Sequence, residues 1–207
     1  MESQSATARS DETLVAMARR LDAQGMQALS ELLERHAQSL HRFFTLRLRD
    51  PERALDLTQD VFERVIRHRE RLPEGQGFRP WLWTIALNVA RGDRRRARAA
   101  PQELSMETPN RADAFPLRDR LADPAPSPSQ RAFTKEEAVH LRRAIGELDE
   151  ELSSVLHLKY FEEMSCRDVA ETLGIPEGTV WSRTYRALEQ LRALIDPDLR
   201  AGGVPIR

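Results

Sequence analysis

Cysteine is almost absent from this sequence. Cys166 stands alone in 207 residues, which excludes an internal disulfide and any metal site built on a cysteine cluster. Long apolar runs are missing too. The best stretch, residues 81–90, falls well short of the roughly 18–20 residues a membrane-crossing helix needs, and it leads into arginines. The first ten residues, MESQSATARS, hold no apolar core of the kind a secretory signal carries, so the expected address is the cytoplasm. Glycine is sparse while leucine, alanine, arginine and glutamate are abundant, a balance that favours helix over sheet. There is no charge surplus either: 32 Lys and Arg against 33 Asp and Glu leave a net charge of −1. Non-specific DNA affinity rests largely on phosphate contacts. Any DNA contact here must come from local basic patches, which points to a DNA reader needing help or to one whose acidic surface has another partner.

Catalytic signatures are missing as well. The histidines His36, His41, His68, His140 and His157 show no metal-ligand spacing, Cys166 has no partner apparent in the sequence, and no nucleophile elbow or phosphate-binding loop occurs. The expectation is a protein that is not an enzyme and holds no metal or cofactor. Cys166 is expected to be a small buried side chain.

Helical periodicity occurs in two blocks. Across residues 11–99, Leu29, Leu32, Leu33, Leu40, Phe43, Phe44 and Leu48 trace one apolar stripe. Leu55, Val61, Phe62, Val65, Ile66 and Leu72 trace a second. Asp50 before Pro51 reads as a cap followed by a first turn, and "LPEGQG" (72–77) as a loop. Another helix is expected from near Phe78, with Pro80 in its first turn. Residues 100–131 hold six of the twelve prolines and no periodicity, the composition of a flexible linker. Such a chain has an r.m.s. span of roughly 30 Å and a limit of about 100 Å. The second block, residues 132–198, carries a stripe of Ala138, Leu141, Ile145 and Leu148, then Asp149 before a helix with Leu152, Val155, Leu156 and Leu158. The expected fold is all-α: two small helical domains joined by a flexible Pro-rich linker.

Within the second block, "SCRDVAETLGIPEGTVWSRTYRALEQLR" (165–192) has the form of a helix-turn-helix. Ser165 and Asp168 make a capping-box-like start, Gly174 permits a left-handed helix end, and Pro176 allows a new helix at once. So short a break holds two helices at a wide angle. In the second of them Val180, Thr184, Ala187, Leu188, Leu191 and Ile195 form the buried face. Thr179, Ser182, Arg183, Arg186 and Gln190 lie opposite, all able to donate hydrogen bonds, and both arginines can pair bidentately with guanine or phosphate. Trp181 is expected to be partly buried within its domain.

The first block has a charged signature of its own. In "FRPWLWTIALNVARGDRRRARA" (78–99), Arg79, Arg91, Arg94, Arg95, Arg96 and Arg98 stand against one acid, Asp93, an electrostatic footprint for nucleic acid. Asn88 reads as a polar group at the seam of that helix. Of Phe78, Trp81 and Trp83, at least two are expected in the core. The preceding helix carries an acidic strip, Asp56, Asp60 and Glu63 with Gln59 alongside, a poor DNA contact and a candidate protein-docking site.

Three stretches, "DLTQDVFERVIRHRERL" (56–72), "FRPWLWTIALNVAR" (78–91) and "LSSVLHLKYFEEMSCRDVAETLGIPEGTVWSRTYRALEQLR" (152–192), resemble the extracytoplasmic-function group of bacterial sigma factors, in that group's order. The resemblance implies that Asp56, Gln59, Asp60 and Glu63 dock on the clamp coiled coil of core RNA polymerase. It implies that the loop near 72–79 and the helix with Asn88, Arg91, Arg94, Arg95 and Arg96 open the minus-ten promoter element. It further implies that the second block binds the polymerase flap and reads the minus-thirty-five element through helix 177–192, with Thr179, Ser182, Arg183, Arg186 and Gln190. An anti-sigma factor is a further partner it implies. The chain departs from the family pattern at two points: Gly92 and then Asp93 stand where an aspartate usually falls four residues after the asparagine, and Trp181 stands where lysine is usual. An autonomous helix-turn-helix regulator is the alternative, against which the acidic strip and the near-zero charge speak.

Overall fold

The computed structural model describes residues 9–48, 50–99 and 135–195, with side chains from Val139 onward in the last segment. The Pro-rich stretch 100–131 lies outside them. The described residues form helices and no strand: α1 (Asp11–Ala18), α2 (Ala23–Leu48), α3 (Pro51–Arg67), α4 (Phe78–Ala99), α5 (Lys135–Glu147), α6 (Glu150–Leu156), α7 (Cys166–Leu173) and α8 (Glu177–Ile195), with short 3-10 turns after α3 and before α4. They divide into two units. The first takes α1, α2 through His41, α3 from Glu52, and α4; the second takes residues 42–48 and 50–51 with α5 to α8.

Local signals set the helix ends of the first unit. Ser10 Oγ accepts from the Thr13 N–H at the start of α1. Asp22 Oδ1 accepts from the Gly25 N–H at 2.8 Å at the start of α2. Pro51 opens α3, where its missing N–H costs nothing. One stripe of each helix then turns inward: Leu14 and Val15 of α1, Leu29, Leu32, Leu33 and Leu40 of α2, Leu57, Val61, Phe62 and Val65 of α3, and Leu82, Trp83, Ala86 and Leu87 of α4. Each fully buried side chain of this size contributes about 1.5–3 kcal/mol. Asp11 ties α1 to α2, meeting His36 Nε2 at 2.8 Å and Arg35 at 2.5 Å. The hydrogen bond from His36, with Arg35 beside it, holds the Asp11 carboxyl below its usual pKa against the pull of burial.

The second unit is built around Ile145, Leu148, Leu152, Leu156, Ala187 and Leu191. Helix α6 runs into a wider π-helical turn over His157–Phe161, in which the Glu162 N–H reaches back five residues to the His157 carbonyl at 3.1 Å. Glu163 follows in the left-handed region at φ 52°. His157 is buried, stacked on Phe161 at 5.2 Å and edge-on to Phe43 of the α2 segment belonging to this unit at 4.8 Å. Its Nε2 lies 3.6 Å from Glu162 Oε1.

Two glycines of the first unit carry opposite expectations. A Cβ on Gly25 would meet the Arg20 carbonyl oxygen at 2.0 Å, so Gly25→Ala should cost about 1–3 kcal/mol through forced backbone shifts. A Cβ on Gly92, inside α4, would meet nothing within 4 Å, so Gly92→Ala should stabilise by about 1 kcal/mol. Urea unfolding of the two variants against the parent chain checks both signs.

A pH dependence also follows. Burial holds the His157 pKa below its ordinary 6.5, with Arg47 and Arg42 pulling the same way and Glu162 opposing. Below about pH 6.5 the unfolded chain therefore binds the proton that the folded chain refuses, and stability falls with acid. Denaturant midpoints for wild type should drop between pH 7 and pH 5, and the drop should shrink in His157→Gln.

Candidate nucleic-acid and protein-docking surfaces

The helix-turn-helix is set by its break. Ser165 Oγ accepts from the Asp168 N–H at 3.1 Å and pairs with the Asp168 carboxylate at 2.7 Å, which opens α7. At the other end Gly174 adopts φ 66°, ψ 38°. Its N–H reaches the Glu171 carbonyl at 3.3 Å, and the Ile175 N–H reaches Ala170 at 3.0 Å, a full Schellman closure. Pro176 then caps α8, its carbonyl accepting from Thr179 at 2.9 Å and Val180 at 3.2 Å. Three residues thus end one helix and begin the next.

Helix α8 buries Val180, Thr184, Ala187 and Leu191, with Leu188 and Ile195 packed partly against the core. Of the five residues singled out as donors, Ser182, Arg186 and Gln190 are exposed, whereas Thr179 and Arg183 are half-buried on one flank. Arg183 is ion-paired there with Glu151 of α6 at 2.6 Å. Trp181 corrects the expectation of partial burial. It is 60 % exposed, and Tyr185, one turn on, is 64 % exposed. The reason is angular: the buried stripe leaves positions 181 and 185 on the side of the helix away from the core. Cys166 is half-exposed rather than buried, because it occupies the first position of α7, outside that helix's packed face.

In the first unit α4 shows the same sorting. Phe78 and Trp83 enter the core, and Trp81 stays half-exposed at 6.2 Å from the Phe78 ring. Asn88 is exposed rather than at a seam. With Thr84, Arg91 and Arg95 it forms one outward row at spacings of +4, +3 and +4, and Arg91 donates to the Asn88 Oδ1 at 3.4 Å. Arg94, Arg96 and Arg98 are also exposed. Asp93 alone turns inward. At 7 % exposure it receives Arg53 from the first turn of α3 through both Nε, at 3.1 Å, and Nη2. Burial works against the charge on Arg53, but Asp93, with Asp56 and Asp60 nearby, holds it protonated more firmly than a free guanidinium.

Along α3, Asp56 is exposed while Gln59, Asp60 and Glu63 are half-exposed, and Asp56 lies 3.7 Å from Arg53. The unit therefore presents an acidic helix face and a basic helix row, with Arg53–Asp93 joining their helices. Sequence spacing gave no sign of this pair, whose members are 40 residues apart. Among the described residues no group of three or more His, Cys, Asp or Glu is placed to hold a metal ion, and no helix is long and apolar enough to cross a membrane.

Comparison with known proteins places both units. Residues 32–100 match Sigma-70 region 2, and residues 139–191 match Sigma-70, region 4. The chain is 32 % identical over 171 residues to the RNA polymerase sigma factor CarQ of Myxococcus xanthus, covering 81 % of this chain and 89 % of that protein. It is 30 % identical to the ECF RNA polymerase sigma factor SigM of Mycobacterium tuberculosis, covering 81 % of this chain and 77 % of that protein. The fold is shared with the sigma factor RpoE of Bartonella quintana, solved in complex with the anti-sigma factor NepR. That match has a TM-score of 0.53 at 21 % identity, over 84 % of this chain and 96 % of that one.

The Arg53–Asp93 pair carries a test. Arg53→Ala strands a buried carboxylate and should cost about 2 kcal/mol, less than a fully enclosed pair because Arg53 is a third exposed. In Arg53→Ala combined with Asp93→Ala much of that loss should return. Equilibrium unfolding of the two single variants and the double variant measures the coupling.

Proposed function

The chain belongs to the extracytoplasmic-function sigma factors, and from that membership we propose how its surfaces divide the work. As a member of that group it binds core RNA polymerase and directs promoter-specific transcription initiation, without being an enzyme. In the proposed division, residues 11–99 form the polymerase-docking and minus-ten domain, residues 100–131 the tether, and residues 132–198 the minus-thirty-five domain. Asp56, Gln59, Asp60 and Glu63 on α3 meet the clamp coiled coil. Asn88, Arg91, Arg94, Arg95 and Arg96 on α4 engage the minus-ten element. The second block meets the flap, and Thr179, Ser182, Arg183, Arg186 and Gln190 on α8 engage the minus-thirty-five element.

The observation that supports this division best is the segregation of charge between α3 and α4. An acidic face cannot hold DNA, and a row of exposed arginines beside Asn88 can hold it only weakly when the whole chain is neutral. Polymerase resolves the difficulty. Bound to core, each weak reader faces its element at high effective concentration. The work then takes place where polymerase is, in the cytoplasm. An anti-sigma factor is the second protein partner we propose, supported by the likeness to a sigma factor solved with one.

Two measurements test the division. Purified chain should co-elute with core polymerase, and Asp56→Lys with Asp60→Lys should abolish co-elution; retention by the double variant removes α3 from the docking surface. Arg186→Ala should lose about 1–3 kcal/mol of promoter discrimination at one position of the upstream element. Unchanged promoter preference removes Arg186.

A further inference from the structure

The two most exposed aromatic side chains of α8, Trp181 and Tyr185, have no part in the division above. They form one outward row, i and i+4, directly beside the row of Ser182 and Arg186. Both lie in the first half of the second helix of a helix-turn-helix, the half from which side chains reach base edges in the major groove. The Trp181 ring has a neighbour from another element. The Lys159 ammonium, from the π-helical turn after α6, sits 5.3 Å from the Trp181 ring centroid. Glu189, one turn beyond Tyr185, pushes the phenol's pKa up.

Large apolar area exposed on a base-reading face has one sequence-specific contact to make. The thymine C5-methyl is the apolar group of the major groove, and every other base edge there offers donors and acceptors. We propose that Trp181 and Tyr185, with Lys159 clamping the indole, make α8 a reader of thymine methyl groups in the minus-thirty-five element. This rests on the promoter-reading role given to α8 above. Trp, Tyr and Arg are enriched at protein interfaces as well; the place of these rings in the groove-entering half of the helix favours DNA.

The test uses full-length chain assembled with core polymerase, and a promoter selected from random duplexes by wild-type holoenzyme. Each thymidine of the upstream element is then replaced singly by deoxyuridine, which removes only the methyl. Wild type should lose about fourfold in promoter binding for each contacted methyl. Trp181→Ala and Tyr185→Ala should bind thymidine and deoxyuridine duplexes alike, while co-eluting with core as wild type does. Selected promoters with no shared thymine in that element, or a wild-type holoenzyme indifferent to the substitution, would overturn the inference. So would a Trp181→Ala variant that keeps its thymidine preference but loses core binding, which would assign the rings to a protein surface. Failure of wild type to initiate from any selected duplex is a different result, for it defeats the promoter-reading role itself.

Discussion

Charge neutrality is the constraint from which the rest of this molecule follows. With 32 basic and 33 acidic side chains, the chain as a whole has no attraction for a polyanion. Every phosphate contact must therefore come from arginines gathered on one surface, with the acids gathered elsewhere. Helices do this cheaply, because a 3.6-residue period gives each helix several independent rows. On α4 the rows divide into core, arginine row and the single inward acid Asp93; on α3 they divide into core and acidic face. The Arg53–Asp93 pair preserves the sorting, since rotation of either helix would strand a buried charge. In the second unit the break at Gly174–Pro176 does the equivalent work by backbone geometry, orienting α8 with no charged group involved.

Much of this is legible in the sequence because it is local. The stripes Leu29, Leu32, Leu33 and Leu40, and Val61, Phe62 and Val65, come straight from the period, and all are buried. The Ser165 cap and Gly174 are legible for the same reason: a cap is decided by three or four neighbouring residues. What distance conceals is different in kind. Arg53 and Asp93 carry no mutual signal along the chain, and Asp93 reads as one more solvent-facing charge until α3 is laid against α4. Arg183 likewise reads as a free donor until Glu151 meets it. Trp181 misleads by residue type, because an indole is most often covered, and only the placement of the buried stripe shows that it lies outside the core. The π-helical turn has no signature in a pattern read at 3.6 residues per turn.

Polymerase docking and DNA reading are joined in one family by an economy of affinity. Neither contact needs to be tight alone, and a chain whose DNA surfaces are weak does not become trapped on the genome when free of polymerase. The exposed side chains of α8 can then differ between relatives, because they lie outside the core that holds the helix. Trp181 in place of the usual lysine illustrates that freedom: it is accommodated outside a core of Val180, Thr184, Ala187 and Leu191.

The wide turn at His157–Phe161 holds one residue more than an α-helical turn would. The surplus residue is taken up just before the non-helical stretch 162–165, where Glu163 at φ 52° redirects the chain toward α7. The direction in which the helix-turn-helix departs is set by this backbone path together with the packing of Ala187 and Leu191 against Leu152 and Leu156. A residue gained or lost at this turn would have to be absorbed by that stretch or by repacking the core, and would shift Lys159 relative to Trp181.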